Sequence, residues 1–203
     1  MKIYATKLET PISIYLESYK QICNQITDEE LAYISKGLTV SEFKTKQYYL
    51  KAGQIQTAIG YVVTGLMRSY YIDDKGNEIT ISFVKEKEYA TDYGAFVRQK
   101  PSKYYFQCLE PSVVVNLPYS EMQDGYNEYK NIERYGRLVT EEVLVQQQTR
   151  LESFLFEKAE ERYLNFIKRS PNLFNRISLT YLSSYLGIER QSLSRIRKML
   201  AKK

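Results

Sequence analysis

The sequence has no histidine and no tryptophan, and only two cysteines among its 203 residues. The missing histidine excludes the most chemistry. A Ser-His-Asp or Cys-His pair cannot be built, nor can an HExxH zinc site or a haem held by a proximal histidine. Cys23 and Cys108 cannot supply the four thiolates of an ordinary iron–sulfur cluster from one chain, and they make no disulfide framework. A reducing, cytoplasmic location is the matching expectation. No run approaches the roughly 18 apolar residues of a membrane span. Met1 to Lys20 has no unbroken apolar core, so no secretory signal is expected. Acid–base chemistry by Glu, Asp, Lys or Tyr stays formally open, but no local motif points to it, so an enzyme is not expected.

What is present describes a globular chain. Hydrophobic residues make up 43% and charged residues 26%, enough apolar surface to offset the entropy of ordering. The net charge of +5 is unevenly placed. Through Glu152 there are 18 Lys/Arg against 20 Asp/Glu, a net −2; from Ser153 onward there are 11 against 4, a net +7. A near-neutral front and a basic end suggest a polyanion-binding module at the C-terminus. A solvated basic helix without a partner is the plainer alternative. The 20 tyrosines lie mainly in the neutral part, where strand packing with a polar tip explains them better than base stacking.

Ile12 to Ser35 reads as helical, with Thr27 and Glu30 spaced as a capping box. From about Leu38 to Pro118, short β-branched and aromatic runs alternate with turns. Ile59–Val63 and Leu66–Ile72 are strand-like. Asp73-Asp74-Lys75-Gly76-Asn77 is a turn, and Glu78–Phe83 alternates cleanly, so the last two runs form a hairpin. Lys103–Cys108 and Ser112–Leu117 add two strands. Such a series argues for a sandwich, barrel or jelly roll. After Pro118 the pattern turns helical, and Asn127 to Leu155 would span on the order of 40 Å as one helix. Ile132, Tyr135, Val139, Val143, Gln146 and Arg150 fall at three- and four-residue steps along it. That stripe would pack on the parent domain or on a second copy of the chain.

The most informative stretch is Ile177 to Leu200. It divides into a short helix, a turn at Gly187 and a second helix from about Arg190. A helix-turn-helix needs a small residue at the crossing, a residue tolerant of left-handed backbone in the turn, and apolar plugs between the helices. Ser183, Gly187 and the set Leu182, Leu186, Ile188, Leu193 and Ile196 meet those demands. The opposite face of the second helix presents Arg190, Gln191, Ser194, Arg195 and Lys198. Arg pairs with guanine and Gln with adenine in the major groove. Ser178, Thr180 and Ser192 are placed to bond phosphates, with Lys198, Lys202 and Lys203 adding charge.

These residues resemble the Crp/Fnr type of bacterial transcription regulator, most closely in Leu186-Gly187, Arg190, Arg195-Ile196 and Lys198-Met199-Leu200. Gly53, Tyr61-Val62-Val63-Thr64-Gly65-Leu66 and Gly76-Asn77-Glu78-Ile79 resemble that family's cyclic-nucleotide-binding-like β-roll. The resemblance implies an α+β chain in three parts: a β-roll domain with N-terminal helices over 1–126, a long dimerisation helix over 127–155, and a helix-turn-helix domain over 156–203. It implies a homodimer on a palindromic double-stranded DNA operator, with RNA polymerase as a further partner and no membrane. Arg190, Gln191 and Arg195 become the base-reading candidates. Relatives that bind the best-known operator have Glu where this chain has Gln191, so a different half-site is expected. The chain stops three residues after Leu200, so no wing strand beyond the recognition helix is expected. Members that bind cyclic nucleotide carry Gly-Glu for the ribose and Arg followed by Ser or Thr for the phosphate. Those places read Tyr89-Ala90-Thr91-Asp92 and Pro101-Ser102-Lys103-Tyr104 here. Asp92 and Lys103 are partial stand-ins, and Lys is not equivalent to a bidentate guanidinium. Cyclic AMP is therefore not expected, and neither haem nor an iron–sulfur cluster. The alternative is a ligand-binding or protein-interaction β-roll module whose C-terminal helices only pack.

Overall fold

The computed structural model describes residues 9–200. The chain opens with two capped helices, α1 (Pro11–Ile22) and α2 (Asp28–Gly37). The capping box that opens α2 is complete: the Thr27 N–H donates to Glu30 Oε2 at 2.7 Å, and the Glu30 N–H donates to Thr27 Oγ1 at 3.2 Å. Strands β1 (Thr39–Phe43), β2 (Tyr48–Leu50), β3 (Ala58–Thr64), β4 (Met67–Ile72), β5 (Glu78–Val84) and β6 (Tyr89–Ala90) follow. After the short helix α3 (Tyr93–Phe96) come β7 (Tyr105–Cys108) and β8 (Ser112–Pro118). The strands form an antiparallel β-sandwich. One sheet has the order β1-β8-β3-β6, with Val62 opposite Val114 and Gly60 opposite Asn116. β2 pairs with β7, and β4 with β5. The β4–β5 turn is closed by the Asp73 carboxylate, which accepts from the N–H groups of Lys75 and Asn77, while Gly76 supplies a φ of +82°. Among the described residues, five α-helices follow β8: α4 (Tyr119–Glu128), the 27-residue α5 (Lys130–Phe156), α6 (Ala159–Arg169), α7 (Leu179–Leu186) and α8 (Arg190–Leu200). No helix among the described residues is long and apolar enough to cross a membrane.

The chain divides into two compact units. The first runs through Met67 and resumes at Val84–Val139. Its sandwich interior is filled by Leu50, Val62, Met67, Phe106, Cys108 and Val114. A second core gathers tyrosines. Tyr19 and Tyr135 stack with centroids 3.6 Å apart, the Tyr89 and Tyr135 hydroxyls lie 2.7 Å apart, and Ser18 Oγ is 2.9 Å from the Tyr135 hydroxyl. The tyrosines thus do more than strand packing. Their rings bury apolar area, and their hydroxyls satisfy one another inside the core. Burial pushes the Tyr135 and Tyr126 hydroxyls up to about 12.

The second unit contains Arg68–Phe83, which is most of the β4–β5 hairpin, and the chain from Thr140 onward. Its core is formed by Tyr163 and Phe166 of α6, Leu173, and the plugs Leu182, Leu186, Ile188, Leu193 and Ile196.

The long helix corrects one expectation. Ile132 and Tyr135 are buried in their own chain's tyrosine-rich core, and Val139 packs against it. These three side chains are therefore not an outward dimer surface. Periodicity found the stripe, but the parent domain covers its first half. Beyond Val139 the helix is open. Val143 is 40% exposed, Leu144 66%, Leu151 60% and Leu155 67%. Leu144, Leu151 and Leu155 follow seven- and four-residue steps and share one apolar side. Gln146 instead accompanies Glu142 through a hydrogen bond of 3.0 Å.

Candidate nucleic-acid interface

The helix pair α7–α8 is set by its turn. Ser178 caps α7 by accepting the Tyr181 N–H at 3.2 Å. Gly187 ends the helix in the left-handed region, with φ +60° and ψ 39°. The Ile188 N–H then returns to the Ser183 carbonyl at 3.0 Å. Ser183 is buried and donates to the Thr180 carbonyl, so the crossing point holds a small, satisfied side chain. Leu193 is wholly buried and Ile196 nearly so, which fixes the inward face of α8.

That orientation decides what α8 shows to solvent. Arg190, Gln191, Arg195 and Lys198 are exposed; Ser192 and Ser194 are half-buried. Positions 190, 194 and 198 and positions 191, 195 and 198 lie three or four residues apart, so they make one face. Ser194 Oγ donates to the Arg190 carbonyl at 3.0 Å. Thr180 is exposed near the start of α7, and Ser178 keeps its hydroxyl hydrogen for an acceptor after capping the helix. Arg197 belongs elsewhere: it stacks 4.9 Å over Phe174. Burial pushes the Tyr163 hydroxyl up, and the Arg197 guanidinium opposes the shift. Lys202 and Lys203 lie outside the described residues.

Two arginines support the turn: Arg162, which sequence reasoning missed, and Arg150, which it placed in the α5 stripe. Arg162 Nε donates to the Leu186 carbonyl at 2.9 Å. Arg150 Nη2 donates to the Tyr185 carbonyl at 3.1 Å and stacks 3.8 Å over the Tyr185 ring. Both place positive charge at the C-terminal end of α7, where carbonyls lack helical partners. Arg150 therefore caps α7 rather than forming part of an outward stripe. The signal was a cation within reach of a helix end, which only three-dimensional placement reveals.

The effector candidates Asp92 and Lys103 are neighbours in the first unit. Asp92 caps α3: its Oδ1 accepts the Ala95 N–H at 3.3 Å. Its Oδ2 accepts Ser102 Oγ–H at 2.9 Å and the backbone N–H of Lys103 at 3.3 Å. Lys103 contributes its backbone there, and the residue is exposed. Beside them the buried Gln56 donates to the carbonyls of Ala58 and Ala90 and accepts from Thr91.

This architecture is that of a cyclic-nucleotide-binding-type β-sandwich followed by a long helix and a helix-turn-helix. Residues 40–129 match the cyclic nucleotide-binding domain family. Among solved structures, FixK2 from Bradyrhizobium japonicum is similar at a TM-score of 0.71 and 16% identity, over 81% of this chain and 85% of that one. A transcriptional regulator of the Crp/Fnr family from Eubacterium rectale is similar at a TM-score of 0.70 and 15% identity, over 91% and 88%. The catabolite activator protein of Thermus thermophilus is similar at 0.55 and 14%, over 95% and 87%. The chain thus has the fold of the Crp/Fnr regulators. No curated protein shows a significant match to the sequence.

Proposed function

We propose that this chain is a sequence-specific DNA-binding transcription regulator, and not an enzyme. The observation that carries the reading is the α8 face. Four exposed groups, Arg190, Gln191, Arg195 and Lys198, are held outward because Leu193 and Ile196 are held inward. Guanidinium forks and an amide at the start of a recognition helix suit guanine and adenine edges. Ser178, Thr180 and Ser192 serve as phosphate contacts. The regulator acts in the cytoplasm as a homodimer on a palindromic operator with half-sites about one DNA turn apart. The exposed side of α5 formed by Leu144, Leu151 and Leu155 supports a second copy as its occupant. RNA polymerase is the partner through which a bound regulator would alter transcription.

Cyclic nucleotide is not required in this reading. The Asp92 carboxylate already takes the donors at the start of α3 and at Ser102, and it would repel a phosphate placed there. Haem and iron–sulfur cofactors have no place in it either. The test is a mobility shift against genomic fragments at two salt concentrations, with and without cyclic AMP. A shift that weakens with salt and ignores cyclic AMP supports the reading; an absent or salt-insensitive shift overturns it.

A further inference from the structure

Arg68, on β4, is completely buried. Its guanidinium lies between two rings, 4.2 Å from the Tyr70 centroid and 3.9 Å from that of Tyr181 on α7. Nε donates to Thr80 Oγ1 at 3.0 Å, and Nη1 lies 2.8 Å from Glu78 Oε2 in an ion pair. Nη2 finds no hydrogen-bond partner among the described residues. Next to this stack, β5 forms a sheet edge. Ser184 of α7 takes the place of a neighbouring strand there: it accepts the Thr80 N–H at 2.8 Å and donates to the Glu78 carbonyl at 3.3 Å. The Phe83 and Tyr185 rings approach to 5.2 Å on the same side.

We propose that the β4–β5 hairpin is a latch on the first helix of the helix-turn-helix, with Arg68, Tyr181 and Ser184 as positioning residues for DNA recognition. This rests on the DNA-binding reading. Two physical features distinguish the latch from ordinary packing. Its central group is a charge taken out of water with Nη2 unpaired, so closing is opposed by desolvation, which the two rings, the Glu78 carboxylate and the Thr80 hydroxyl offset. Such a contact is near balance and can open. The latched face of α7 also carries Tyr181, Ser184 and Tyr185, whereas Thr180 and the α8 face stay exposed with the latch closed. The closed latch therefore orients the reading helix without covering it. The hairpin is continuous in chain with the first unit at Met67 and Val84.

The test uses the full chain and DNA duplexes carrying two selected half-sites at varied spacing. Tyr181→Ala, Ser184→Ala and the double variant are compared with Tyr181→Phe, which keeps the stack. The latch predicts that the alanine variants bind the preferred spacing at least about fivefold more weakly. They also discriminate less between spacings and exchange the Thr80 amide faster, whereas Tyr181→Phe behaves like wild type. Unchanged affinity and spacing preference in the alanine variants overturns the latch, and so does tighter binding. Should wild type bind no DNA, the DNA-binding reading fails by itself. The latch is then decided by Thr80 exchange, which must accelerate in Tyr181→Ala and remain slow in Tyr181→Phe.

Discussion

Gly187 holds its φ of +60° beneath the Phe154 ring, whose Cε1 would lie 2.9 Å from a β-carbon at that position. The turn between the two recognition-domain helices thus requires glycine twice, for its backbone and for its lack of a side chain. Gly187→Ala should destabilise the second unit by about 1–2 kcal/mol from the left-handed backbone alone. Denaturant unfolding followed by circular dichroism measures it.

The α8 face makes a separable prediction. Arg190→Ala and Arg195→Ala should each weaken binding to the selected operator by about 1–3 kcal/mol and relax the base preference beneath them. Lys198→Ala should weaken all DNA similarly and flatten the salt slope by about one contact. Competition binding at several salt concentrations distinguishes the two behaviours. Arginine variants that bind their operator like wild type would contradict the assignment.

Association through α5 predicts that Leu151→Ala removes on the order of 2 kcal/mol from each copy's side of the interface. Leu144 and Leu155 should behave alike, while Gln146→Ala should have little effect. Sedimentation velocity across a dilution series reads the monomer–dimer balance. A monomeric wild-type chain, or a dimer indifferent to all three leucines, places the contact elsewhere.

The tyrosine core predicts alkaline unfolding of the first unit. Tyr135 is held at about 12 when folded, against 10.0 in its ordinary state. The folded chain keeps that proton while the unfolded chain releases it. Stability is therefore full below pH 10 and falls from there to about pH 12, by on the order of 3 kcal/mol for this group. Tyr126 adds in the same direction. Tyrosinate absorbance and loss of structure should rise together, and Tyr135→Phe should shift the midpoint upward.

Features governed by local chemistry were legible in the sequence. The Thr27–Glu30 box, the Asp73–Asn77 turn and the Gly187 cap each depend on residues within a few positions of one another, and all three are present. The inward and outward faces of α8 followed from its period. The short strands β2 and β6, of three and two residues, were missed because they carry too few residues for alternation to show. The α5 stripe was misread at Ile132 and Tyr135 because a helical period shows that a face is apolar but not what covers it. Arg68 and Arg162 gave no sequence signal and Arg150 was placed in the α5 stripe, since each finds its partners across long stretches of chain.

Selection of bound duplexes from a random DNA pool, using the full-length chain, tests DNA recognition most directly. The expected result is enrichment of an inverted repeat with half-sites about one helical turn apart, lost when Arg190 and Arg195 are both replaced by alanine. A pool that stays random, or an enriched sequence bound equally well by that double variant, would contradict it.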